Sequence, residues 1–168
     1  FISSSFDSSN NKVVIAYQDI DNSKYGTAIV GTVSSTSISF GSEVVFESAW
    51  TYDTSCTFDS SSNKIVIAYT DRGNSEYGTA IVGTVSGTGI SFGTAVVFQS
   101  ATAEGITALF DSNSNKVVIG YKDAANSSKP TAIVGTVSGT SISFGSEVLL
   151  IDEAIGDYAA GVFDSNSN

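Results

Sequence analysis

The octapeptide Thr-Ala-Ile-Val-Gly-Thr-Val-Ser occurs three times, at Thr27–Ser34, Thr79–Ser86 and Thr131–Ser138, spaced by 52 residues. A fixed period of this size means an array of like units, each burying its faces against its neighbours. Two further motifs keep the same register. Asn-Lys-x-Val-Ile-x-Tyr-x-Asp lies upstream at Asn11–Asp19, Asn63–Asp71 and Asn115–Asp123. Ile-Ser-Phe-Gly lies downstream at Ile38–Gly41, Ile90–Gly93 and Ile142–Gly145. Residues 1–5 then end a preceding unit, 6–57, 58–109 and 110–162 are units one to three, and 163–168 open a fourth. Unit three carries one extra residue, between Leu150 and Tyr158. The chain has no initiator Met and opens mid-unit, so the expectation is a processed product or a piece of a longer protein.

Each unit reads as four short strands. The first ends in Phe-Asp, followed by a polar turn. The second, Lys12–Tyr17 in unit one, is apolar on both faces and should be sandwiched between layers. The octapeptide is the third, with Ala28, Val30 and Thr32 facing one way and Ile29, Gly31 and Val33 the other. Its mid-strand glycine predicts close approach or a bulge. The fourth is Ile-Ser-Phe-Gly, continuing through Glu43–Phe46, with a variable link over Glu47–Thr54. The predicted fold is all-β: tandem four-stranded antiparallel units arranged as β-propeller-like blades. An open β-solenoid or stacked sheets is the alternative.

Charge narrows the partners. Seven basic against 17 acidic residues give a net charge of −10, with no basic stripe for nucleic acid or anionic lipid. No 18-residue apolar run predicts a membrane helix. The Ser-, Thr-, Gly- and Asn-rich composition points to an extracellular, cell-surface or virion protein.

Catalytic signals are sparse. The sequence has no histidine, so no Ser-His or Cys-His pair can form within it. The one cysteine, Cys56, aligns with Ser4 and Ala108 and reads as a small buried filler. Asp19, Asp71 and Asp123 recur in every unit, which suits a turn cap better than a unique catalytic carboxylate. Lys12, Lys64 and Lys116 read as solvated charges at strand starts. Oxygen donors alternate over Asp19–Ser23, but the second carboxylate is missing from the other copies, so no metal site is expected. No cofactor is expected, and the chain reads as a non-enzyme.

The candidate binding residues are aromatic and amide side chains after the second strand. They are Tyr17, Asp19, Asn22 and Tyr25 in unit one, and Tyr69, Asp71, Asn74 and Tyr77 in unit two. Such a set suits a sugar, which offers C–H faces and hydroxyls, while packing between units is the competing role. The variable link adds Trp50, Tyr52 and Tyr158 as contact residues.

The run Phe-Asp-Ser-Asn-Ser-Asn-Lys-Val-Val-Ile-x-Tyr, followed by the octapeptide and Ile-Ser-Phe-Gly, resembles tandem repeats of large phage tail-fibre-like and bacterial surface proteins. The units also look loosely like blades of sialidase and lectin propellers, although the Ser-x-Asp-x-Gly-x-x-Trp box is missing. The first resemblance implies a structural or adhesive surface fibre that associates with further repeats or copies. The second implies a carbohydrate-binding lectin-type propeller with cell-surface glycans as partners.

Overall fold

Turn chemistry sets the strand boundaries. Asp7 closes the first hairpin: its Oδ1 accepts from the backbone N–H of Ser9 at 2.9 Å and of Asn10 at 3.0 Å. The turn ends at Asn11, whose φ of 52° lies in the left-handed region that Asn tolerates. Asn63 and Asn115 repeat this at 54° and 56°. The computed structural model describes residues 1–156 and 160–164. Tyr158 and the last four residues of the proposed fourth unit lie outside the described residues.

Thirteen strands follow among the described residues. They are β1 (Ile2–Asp7), β2 (Lys12–Asp19), β3 (Tyr25–Ser34), β4 (Ser37–Phe40), β5 (Val44–Asp59), β6 (Lys64–Asp71), β7 (Tyr77–Ser86), β8 (Gly89–Phe92), β9 (Val96–Asp111), β10 (Lys116–Asp123), β11 (Lys129–Ser138), β12 (Ser141–Phe144) and β13 (Val148–Leu149). Every strand pairing among the described residues is antiparallel. The hydrogen-bonded path is open, running from β1 to β12 without closing.

The expected variable link is not a loop. Glu47–Thr54 lies inside the 16-residue strand β5, whose first half pairs with β3 and whose second half pairs with β6. β9 repeats the arrangement between β7 and β10. The segment holds Trp, Thr and Tyr and no Gly or Pro, so it keeps extended backbone. It changes partners through bulges instead, at Asp53 (φ 49°) and its counterpart Gly105 (φ 59°). The Gly105 N–H donates to Asp53 Oδ2 at 2.8 Å, tying one bulge to the next.

Three layers result: β1–β4 with the first half of β5; the rest of β5 with β6–β8 and the first half of β9; and the rest of β9 with β10–β13. They stack face to face over two cores. The first joins Val14, Ala16, Val30 and Phe46 to Ile65, Ile67, Tyr69 and Ile90. The second joins Val66, Ala68, Val82 and Phe98 to Val117, Ile119, Tyr121 and Ile142. Alternation explains the division, because odd and even residues of β6 point to opposite faces and both faces are buried.

Glycines permit the close packing. A Cβ at Gly83 would lie 2.8 Å from Ile90 Cδ1, so the mid-strand glycine lets the β8 side chains fold back over β7. A Cβ at Gly41 would lie 1.9 Å from the Thr88 carbonyl oxygen, and one at Gly93 would lie 1.9 Å from that of Thr140. The final glycine of Ile-Ser-Phe-Gly is therefore where one layer's backbone meets the next layer's turn.

Candidate functional site at the first joint

The tyrosine of the second strand serves the joints. Tyr69 is fully buried, packs on Phe46 of the preceding layer at 5.2 Å between ring centroids, and donates its hydroxyl to Glu47 at 3.1 Å. Tyr121 packs on Phe98 at the same distance. No layer among the described residues precedes Tyr17; it is half-buried and donates to Glu43 of its own layer. Two of the three equivalent tyrosines thus cross a joint, and the first does not.

The aspartate after each tyrosine caps its turn. Asp19 Oδ1 accepts from Asp21 and Asn22 N–H at 3.2 Å, Asp71 from Asn74 N–H at 3.2 Å, and Asp123 from Ala125 N–H at 2.9 Å. Asn22 and Asn74 are exposed at the turn, and Tyr25 and Tyr77 begin the next strand half-buried. The lysines that read as solvated charges have partners in two copies: Lys12 Nζ donates to Thr32 Oγ1 and Lys116 Nζ to Thr136 Oγ1, each at 2.9 Å. Cys56 is buried, and burial pushes its thiol pKa up to about 12, far from a thiolate nucleophile.

What does not repeat collects at the first joint. Trp50, 38% exposed, stands opposite Tyr25 across the β3–β5 ladder. Lys24 Nζ lies 3.9 Å from the indole centroid and Arg72 Cζ 3.8 Å. Both cations therefore lie over the ring. Arg72 also pairs with Glu76 at 3.1 Å. Burial and the charge of Glu76 push the Tyr52 hydroxyl up to about 12. Tyr52 stacks on Phe1 at 5.9 Å. The one tryptophan and the one arginine of the sequence thus meet, joining the turn of the first layer to the turn of the second.

Lys24, Arg72 and Glu76 escaped the sequence reasoning. The signal was present: Arg72 aligns with Ile20 and Ala124, and Lys24 with Glu76 and Ser128, so charge appears only around the unique tryptophan. Below it, Glu47 is held above its ordinary carboxylate pKa by burial and then by the charge of Asp71. Asp71 is itself raised by burial. At the second joint the counterpart of Glu47 is the neutral Gln99.

Chemically, this surface offers an aromatic ring already covered by two cations, beside a half-buried carboxylate. Among the described residues, no group of three or more His, Cys, Asp or Glu is placed to hold a metal ion. No helix among the described residues is long and apolar enough to cross a membrane. No family model matches the chain, and no curated protein matches it.

Proposed function

We propose that this chain is a structural and adhesive segment of an extracellular or virion surface fibre, built from tandem β units with propeller-like blades. One observation carries the reading: residues common to all units are used to join layers. The shared tyrosine enters the preceding layer at both joints, and the shared Phe-Gly glycine admits the following layer's turn. A recognition protein of this kind would present its repeated residues to solvent. Here the copy enclosed on both sides buries Tyr69 and Asp71, while Asn74 stays exposed and Tyr77 half-buried.

Electron microscopy of the native material tests the reading, with a glycan-hydrolysis assay of the pure protein beside it. Elongated regular particles without hydrolysis are expected. Hydrolysis of any glycan would overturn the reading.

The half-exposed Trp50, flanked by Tyr25 and Tyr52, favours a second reading, a lectin-type propeller that takes cell-surface glycans. A sugar stacked on this indole competes with Lys24 and Arg72 for the ring. Specific signals on a glycan array, abolished by Trp50→Ala, would establish it; an empty array leaves the structural role.

A further inference from the structure

We propose that the two end faces of the stack bind each other, so that a second copy of this chain docks head to tail on the first. The inference rests on the stacking that underlies the proposed function, and it names the partner.

The two internal joints are templates for a third. At each joint, the outgoing face of one layer receives the incoming face of the next. The incoming face of the first layer is uncovered, yet it carries the residues that the second layer buries. Val33 is 54% exposed where Val85 is 7%, and Ile38 is 43% exposed where Ile90 is 6%. The outgoing face of the third layer is open over most of its width, with Gly161 lying over Thr107 and Leu109 at one edge. Val134 is 43% exposed where Val82 is 0%, and Leu150 is 58% exposed where Phe98 is 7%. Each open face is therefore built to the pattern that closes the internal joints.

Two further features place the partner. Between the outgoing face and the chain's own end lies an apolar pocket of about 220 Å³, lined in part by Val118, Gly120, Pro130 and Leu150 from the face and by Ala160 and Gly161 from the end segment. The corresponding surface of the second layer, Val66, Ala68, Ala80 and Phe98, is filled by Val117, Ile119 and Tyr121. Their equivalents on the incoming face are Val13, Ile15 and Tyr17. Gly145 is the second feature. Its counterparts Gly41 and Gly93 each admit the threonine turn of the next layer, whereas a Cβ at Gly145 has only the Val134 carbonyl oxygen nearby, at 3.8 Å. The turn it would admit is that of Thr36 in the second copy.

The chain's own end marks the same position. The N–H of Cys56 donates to Ser3 Oγ at 3.0 Å, and that of Ala108 to Ser55 Oγ at 2.9 Å, where successive first strands stack. Gly161 lies over the next pair in this series: a Cβ there would meet Leu109 at 2.9 Å and Thr107 at 3.8 Å. Residues 160–164 thus lie where a following layer's first strand belongs. An arriving copy brings β1 to that position, so one of the two segments yields.

Such an interface is heterologous, and it grows into a ring or a filament. The test is sedimentation of the full chain over a range of concentrations, with Ile38→Asp on the incoming face and Gly145→Leu on the outgoing face. The wild type should exceed the mass of a dimer as concentration rises. Each variant should remain a monomer, with the Gly145→Leu unfolding midpoint unchanged. An equal mixture of the two should form a dimer and stop there, because it holds one intact face of each kind. A wild type that stays monomeric overturns the proposal. So does association that survives in both variants, or a mixture that remains monomeric. Glycan hydrolysis would remove the proposed function and leave this association standing; a monomeric wild type would remove the association and leave the internal stack intact.

Discussion

The second layer buries both faces of its second strand, while the first and third layers each bury one. The residues are nearly the same: Val13-Val14-Ile15-Ala16-Tyr17 against Ile65-Val66-Ile67-Ala68-Tyr69. Position in the stack, not local sequence, decides which of them become core. Ile67 contributes its full apolar area to the first core, whereas Ile15 faces outward. Stability is therefore uneven along a uniform chain, as expected for arrays whose units are held by their interfaces.

The largest break in this comparison comes from truncating equivalent residues. In dilute, unassociated protein, Ile67→Ala should cost about 3–4 kcal/mol in urea unfolding, by lost burial and a trapped cavity, and Ile15→Ala less than about 1 kcal/mol. Equal costs would mean that the first face is covered. The glycines give the next effect. Gly93→Ala places a methyl against the Thr140 carbonyl and should cost about 2–3 kcal/mol by forcing the layers apart. Gly145→Ala should stay within about 0.5 kcal/mol. Thermal melts of the pair measure the difference directly.

A smaller effect separates the two joints. Glu47 has its pKa raised by burial and by Asp71, so its folded pKa exceeds its unfolded value, ordinarily 4.5. Its favourable contribution is complete below that ordinary value and is lost as pH rises through the raised one. Asp71, also raised, acts with the same sign. Asp7 acts oppositely: burial pushes it up, but hydrogen bonds from Ser9 and Asn10 outweigh burial and hold it below its ordinary value, so acid weakens its turn. Glu47→Gln copies the second joint. It should raise the stability at neutral pH, by no more than about 1 kcal/mol, and flatten the pH dependence above 4.5. Gln99→Glu should do the reverse. The smallest change is Lys24→Ala, which removes one cation from Trp50 at a cost of about 0.5 kcal/mol. Tryptophan fluorescence would report the altered indole environment.

Much of this was legible in the residues. The 52-residue period, the strands, the Asp turn caps and the buried cysteine all follow from local chemistry or from comparing copies. The Glu47–Thr54 segment was not legible as strand, because variation between copies imitates a loop. Its continuity is set by bulges that pair it with two different partners. The placing of two cations over Trp50 was hidden for a related reason. Lys24, Trp50 and Arg72 lie far apart in sequence and meet only where two turns come together.

One coupled change inside the chain could have signalled the packing. A Cβ at Gly26 would strike Phe46 at 2.4 Å, and one at Gly78 would strike Phe98 at 2.5 Å. In the third unit Pro130 stands in place of that glycine and Leu150 in place of the phenylalanine. The ring and the side chain beneath it change together because they share one space.

By itself, then, the sequence determined a repeated antiparallel unit with apolar residues on both faces of its second strand, since alternation and turn chemistry act within a few residues. Only the tertiary structure decided which faces are closed, which tyrosine is core, and that consecutive layers share a strand. Burial depends on what lies across a joint, and near-identical copies carry no label for their place in the stack.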